Sequence, residues 1–411
     1  MPFNLFTNKK EPKLPVTLED KAWVEESFSF LIDCFGYPGT ESKAVVLNDK
    51  FFPESFSNHV QQPQALINDF CTIYNLNPAL ISFELYEDLR DSTETPYAFE
   101  GMPFEAGTAI GENRHKIFIA KSLLKFSDRL AYVLALEFAH ILLVETNINF
   151  SGGDDDQLFI FLAAIYFDLG LIVASKATDI GSSNSGLWQQ SWSYVAQMPE
   201  PVIAYTLAIQ LLISEQKNEQ VWANQLPPSV KKLFLSSVEY LKQNPILITS
   251  PQEIEAFNLL KEANYLYEVK EYDEAVKLVH KALLLTQHPN RKAHAYHNLG
   301  YYQICLGQYK DSLKAFRTAL VWNENEGFSN ENMAYALLKL SQPDQAKEFL
   351  DRAKQSGHSV LGYSYRNWAL YHWQKGQTAL AKEYFNKALE ENYAVDFLAE
   401  DYNEFLTQLN I

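Results

Sequence analysis

Cysteine is nearly missing from this 411-residue chain, and Cys34, Cys71 and Cys305 form an odd set without metal-ligand spacing. That excludes a disulfide framework and a zinc knuckle, and it implies a reducing compartment. Positive charge is also short. The 34 Lys and Arg face 51 Asp and Glu, a formal net charge of −17, so the surface repels phosphate backbones and anionic lipid. No nucleic-acid partner is expected. The deficit is uneven, with 17 basic and 30 acidic side chains in residues 1–250 against 17 and 21 in residues 251–411. The opening MPFNLFTNKKEPKLP lacks the apolar core and small-residue cleavage site of a signal peptide, so the expected location is cytoplasmic.

Nucleotide and nucleophile motifs are lacking too. Gly152-Gly153 and the GSSNSG run (181–186) have neither the GxxxxGK[ST] spacing nor a following Lys, and they read as flexible loops. No serine sits in G-x-S-x-G, and the nine histidines are scattered. Only one apolar run is long. LFIFLAAIYFDLGLIVA (158–174) has 17 residues broken by Asp168, at the lower limit for crossing a bilayer and with an acid at its centre. It reads as a buried helix packed against the apolar helix before it, with no membrane span.

What is present is ample core material: 47% of the residues are hydrophobic, enough for two domains. Residues before 250 mix helices with strand-like stretches such as AVVL (44–47) and KIFIA (116–120), whereas later residues are helical in pattern throughout. At the junction, Asn244-Pro245 closes one helix. Ser250-Pro251-Gln252-Glu253 then has the form of a capping box, with Ser250 as N-cap and Glu253 reaching back, which sets a boundary near 245–250.

The back half repeats. YLYEVKEYDEAVKLVHKAL, YYQICLGQYKDSLKAFRTAL, YALLKLSQPDQAKEFLDRAK and LYHWQKGQTALAKEYFNKAL align on Ala275, Ser312, Ala346 and Ala381, at spacings of 37, 34 and 35. These segments resemble the tetratricopeptide repeat (TPR), a pair of antiparallel helices with a period of 34. The second unit carries Tyr296, Leu299, Gly300, Gly307, Tyr309, Phe316 and Ala319 at signature positions, and the fourth carries Tyr365, Trp368, Gly376, Phe385 and Ala388. Small residues such as Gly300, Ala334 and Ala369 let paired helices approach closely, and stacking is needed because no single unit buries its own face. DFLAEDYNEFLTQLNI (396–411) reads as the amphipathic helix that caps the array.

Residues 134–145, LALEFAHILLVE, hold a broken H-E-x-x-H pattern: Glu137 and His140 are in place, and Leu136 stands at the first ligand position. A short strand, this helix, the polar SGGDDD loop and a second apolar helix resemble the core of gluzincin-type metallopeptidases over roughly residues 40–215. The resemblance implies Glu137 as the general base and His140 as the second ligand. It places the third ligand, from the second helix, near Phe161. Zinc catalysis needs three protein ligands and an open position, so two lost donors imply a pseudoenzyme without a metal or other cofactor. Glu145, Asp154, Asp155 or Asp156 as replacement oxygens keep an atypical peptidase site open, while N-capping of the second helix also accounts for the Asp run. Glu137 and His140 also read as a hydrogen-bonded pair facing Asp168.

The TPR resemblance implies a concave groove lined by first helices: Asn264, Tyr267 and Glu268; His297, Tyr301 and Ile304; Glu331, Tyr335 and Leu338; Arg366, Leu370 and Trp373. These suit an extended peptide or a helix of a partner protein. Leu260 replaces the lysine of the carboxylate clamp, with only Asn264 kept, so chaperone C-termini are not the expected ligands.

The expected fold is therefore an α+β N-terminal domain, a small sheet plus helices of zincin-like form, followed by an all-α TPR solenoid, mostly helical overall. Its parts are an extension (1–40), the metallopeptidase-like domain (41–245), about four repeats (250–395) and the capping helix (396–411). The expected function is a non-catalytic, bacterial interaction scaffold. The alternatives are a zinc peptidase around Glu137 and His140, and an immunity or escort protein whose acidic front half docks a basic toxin or secreted partner.

Overall fold

A computed structural model describes residues 13–38, 63–87, 106–111, 114–125, 127–148, 155–175, 182–185, 188–191, 198–214, 218–323, 327–356, 360–391 and 395–409. The chain is mostly helical and divides into two compact units, Met1–Thr249 and Ser250–Ile411.

The first unit is organised around helix α3 (Ser127–Glu145), which is buried along most of its length. Before it come α1 (Leu18–Phe35), α2 (Pro63–Ile73), and strands β1 (Ile81–Tyr86), β2 (Ala106–Ala109) and β3 (His115–Ala120). After it come α4 (Asp155–Ala164), α5 (Gly170–Ser175), β4 (Ser182–Ser185), β5 (Trp188–Ser191), α6 (Glu200–Ile213), α7 (Glu219–Ala223) and α8 (Pro228–Gln243). The small sheet has order β1-β3-β2, with β1 parallel and β2 antiparallel to β3. Parallel pairing of β1 and β3 leaves β2 at the edge beside α3, where Thr108 meets the motif helix.

Two expectations change here. Residues 18–35, expected within an N-terminal extension, form α1, which Thr17 caps and which buries Val24, Phe28, Leu31 and Ile32 and packs on α4 and α6. Nothing in a charged, amphipathic helix says which core its apolar stripe will join. Residues 182–185, read as loop, pair with β5 in an antiparallel hairpin whose hydrogen bonds are made by the backbone and need no apolar alternation. The strand expected at 44–47 lies outside the described residues.

The apolar run forms α4 and α5 with a break between them. Leu158–Ser175 is long and apolar enough to cross a membrane, but 72% of it is buried inside the unit. A π turn at Ile165–Leu169 interrupts the helix, with Asp168 at φ 68°. Gln210 satisfies the break: its amide donates to the Tyr166 carbonyl (3.1 Å) and to Asp168 Oδ1 (2.8 Å). Gly170 follows because a Cβ there would lie 2.5 Å from a Leu207 methyl.

The second unit is four antiparallel helix pairs and one closing helix. The pairs are α9 (Pro251–Glu268) with α10 (Tyr272–Leu285), α11 (Pro289–Cys305) with α12 (Tyr309–Trp322), α13 (Gly327–Lys339) with α14 (Pro343–Ser356), and α15 (Leu361–Gln374) with α16 (Thr378–Glu390). Helix α17 (Leu398–Gln408) follows. Gly300 allows a close approach within its pair, for a Cβ there would lie 2.7 Å from the buried Phe316 ring.

One turn recurs in all four pairs. Lys270, Gly307, Ser341 and Gly376 have positive φ. The amide after each reaches back five residues, as in Glu271 to the Leu266 carbonyl (2.8 Å) and Gln342 to the Leu337 carbonyl (2.9 Å). Two of the four positions thus carry a side chain where glycine is unstrained. Ser341→Gly is expected to raise stability by about 0.5–1 kcal/mol, read as a higher denaturation midpoint, because left-handed strain exceeds the added unfolded-chain entropy. An unchanged or lowered midpoint would refute it.

The expected capping box at the boundary does not form. Ser250 is the N-cap residue of α9 but caps no backbone amide, and its hydroxyl donates to Gln252 (2.8 Å). Glu253 turns inward instead, with 1% of its surface exposed, to an ion pair with Arg291 (2.8 Å). A buried guanidinium is a stronger partner than a solvated N-terminus.

Candidate partner-binding groove

The concave residues come mostly from one register of the first helices. Tyr267, Tyr301 and Tyr335 recur at a spacing of 34, so each of the first three helix pairs places a phenol on the same face. What they face is the chain's own segment Val395-Asp396-Phe397. Asp396 Oδ2 accepts hydrogen bonds from the hydroxyls of Tyr267 (3.2 Å), Tyr363 (3.1 Å) and Tyr301. The Phe397 ring stacks on Tyr335 at 5.7 Å and 17°.

Arg366 anchors the other end of this arrangement. It is 1% exposed, lies 3.9 Å over the Tyr335 ring and 5.2 Å from that of Tyr363, and donates to the backbone carbonyl of Asp396. Its remaining nitrogens donate to Asn367 Oδ1 at 3.1 and 2.9 Å. Helix α17 then covers the array's end: Phe405 packs edge-on to Trp373 at 5.6 Å and against Phe385 at 5.2 Å. Fully buried Asp401 pairs with Lys339 at 2.9 Å.

Not every residue expected in the groove is there for a ligand to touch. Tyr267, Tyr301, Tyr335, Arg366 and Trp373 converge on 395–405, while Ile304, Leu338 and Leu370 are buried in the hydrophobic core. Glu331 is also buried, and its backbone carbonyl accepts from Asn367 (3.1 Å). His297 is wedged between repeats, 5.8 Å from Phe316 and 3.0 Å from the Ser329 hydroxyl, where burial lowers its pKa to about 3 and keeps it neutral. Asn264 and Glu268 are exposed, Asn264 accepting from the Tyr302 hydroxyl at 3.1 Å. Tyr363, Lys339, Asp396, Phe397 and Asp401 were missed. The spacing of 34 between three tyrosines, with an acid just ahead of the last helix, was the signal that could have found them.

Burial raises the pKa of Glu331 to about 7, although the Arg366 charge pulls it back. The protonated form is therefore favoured by folding, so this group's contribution to stability is full below the unfolded value and lost as pH rises through about 7. Glu331→Gln is expected to flatten the stability profile over that window and to gain on the order of 2 kcal/mol at pH 8, measured by denaturant titration at several pH values. A variant profile parallel to wild type would exclude Glu331 as the cause.

The metallopeptidase-like residues sit differently from expectation. Glu137 accepts from the Thr108 hydroxyl (2.6 Å), and burial raises its pKa. Its partner is therefore Thr108 rather than His140. Burial, and then the nearby His115, lower the pKa of His140. Glu145 pairs with His115 Nε2 at 2.8 Å, and Asp168 with Gln210. Leu136 and Phe161 are core residues, Phe161 packing on Tyr132. Among the described residues, no group of three or more His, Cys, Asp or Glu is placed to hold a metal ion. Asp154 lies outside the described residues.

Comparison with known proteins agrees with the helix pairs. The tetratricopeptide-repeat family model matches residues 293–326 and 363–394, and no curated protein matches the chain. Similar solved structures include a tetratricopeptide repeat protein from Parabacteroides merdae (12% identity, 70% of this chain and 96% of that one, TM-score 0.31). Pseudomonas aeruginosa pilF (16%, 68% and 99%, TM-score 0.32) and MamA (18%, 47% and 97%, TM-score 0.29) are others. None of these scores indicates a shared overall fold. The chain carries tetratricopeptide repeats, which define its second unit as a module for protein–protein interaction.

Proposed function

We propose that the protein is a non-catalytic, cytoplasmic, bacterial scaffold that recognises a protein segment on the concave face of its repeat array. The first unit is a metallopeptidase-like domain without a metal site. The observation that carries the reading is the set of concave side chains meeting one tight turn, with the Asp396 carboxylate and Phe397 ring each received by tyrosines. Aromatic platforms supply contact area and a few polar groups fix the register, a combination that also suits a segment from a partner.

For the first unit, support comes from the order of strand, motif helix and second helix, and from Glu137 kept beside the edge strand. A carboxyl raised in pKa next to a threonine, with Leu136 and Phe161 at the two other ligand positions, has no cation to activate water against. Metal analysis of the purified chain, alongside a peptidase assay of wild type and Glu137→Gln, tests this half. The expected result is less than stoichiometric zinc and no hydrolysis sensitive to Glu137. One zinc per chain lost on His140→Ala would establish the peptidase reading instead. A partner whose binding weakens steeply with salt would favour docking of a basic toxin or secreted protein on the acidic front half.

A further inference from the structure

The concave face holds a carboxylate without using an opposite charge. Three neutral phenols converge on one oxygen of Asp396, and the buried Arg366 donates to the backbone carbonyl of the same residue. The site therefore reads a carboxylate and a main-chain carbonyl together, which fixes both the residue type and the direction of the segment. One position further on, Tyr335 offers a flat surface to an aromatic ring, with Arg366 on it.

The chain's own segment fits these groups at a cost. Phe397 must adopt φ 60° and ψ 1°, a left-handed conformation that disfavours an aromatic L-residue, because α17 begins at the very next position. A segment that does not have to enter that helix can offer a carboxylate and the following ring without holding an aromatic residue in the left-handed region.

We propose that this face is a recognition site for a protein segment with an aspartate followed by an aromatic residue, and that Val395-Asp396-Phe397 occupies it until such a segment competes it away. The inference rests on the scaffold reading and names the chemistry of its partner. Occupancy by the chain's own segment scales apparent affinity down to the fraction of time the site is empty, so recognition is gated by release of the segment. Because the contacts are short-range and mostly uncharged, binding falls little with ionic strength, unlike docking on the acidic first half.

The test uses the full chain and an isotopically heavy, fluorescent peptide of residues 392–397, NYAVDF, which ends before α17. Anisotropy is measured with wild type and with the Asp396→Ala, Phe397→Ala double variant, whose fold is checked by circular dichroism. The double variant is expected to bind the peptide about tenfold more tightly than wild type or better. Adding Tyr301→Phe to it, or Asn for the peptide's Asp, should weaken binding about tenfold, with little change between low and high salt. Should the double variant fail to fold, hydrogen exchange on wild type decides: excess peptide should speed exchange in 395–409 of the chain. Equal binding by wild type and a folded double variant, or no change in exchange, overturns the inference. Failure of the scaffold reading looks different, since neither form then retains any protein from a cell extract, whereas failure of the inference alone leaves both retaining the same partners.

Discussion

Glu253→Ala is expected to destabilise the repeat unit by about 3–5 kcal/mol, more than a typical core truncation. Glu253 and Arg291 are each 2% exposed at their side chains and pair at 2.8 Å. The carboxylate also accepts from the Thr286 hydroxyl (2.7 Å) and from the amides of His288 (3.1 Å) and Gln287. It thus ties the end of α10 and the start of α11 to the first helix of the array. Removing it takes the carboxylate from a buried guanidinium and the acceptor from the Gln287 amide, so their desolvation is then poorly compensated. Urea denaturation of the full chain, with hydrogen exchange in residues 251–300 to assign the transition, measures the loss. Under 1 kcal/mol would mean that solvent reaches Arg291 and would sink the argument. Glu253→Met with Arg291→Leu should restore much of the loss, because an apolar pair needs no partner.

Glu253 also marks the limit of what the sequence disclosed. Three residues after a serine and beside a proline, it has the local signature of a capping box, and its real partner lies 38 residues away. Periodicity at 34 was legible because every repeat restates it, so the helix pairs, their small residues and five of the groove residues that meet the 395–405 segment could be read directly. The first unit has no such redundancy. Strands β1 and β2 are short and lie far apart in sequence, and their pairing with β3 depends on contacts that no local pattern announces. The last helix was legible as an amphipath. That the three residues ahead of it would lie across the tyrosines was not, since the groove was read as facing solvent.

Arg366→Met should cost about 3–5 kcal/mol at pH 8 and distinctly less at pH 5. Arg366 is the buried positive charge that lowers the pKa of both Glu331 and Asp401 against the stronger effect of their burial; Lys339 also lowers that of Asp401. Without it, folding favours the protonated acids still more, so stability falls more steeply as pH rises through the range near 7. At pH 5 the Glu331 carboxyl already holds its proton and has little need of a counter-charge. Methionine keeps most of the contact area against Tyr335, which separates the loss of charge from the loss of packing. Denaturation at the two pH values reads the difference. Adding Glu331→Gln to Arg366→Met should then recover more stability at pH 8 than at pH 5, and equal recovery at both would show that Arg366 serves shape and hydrogen bonding alone.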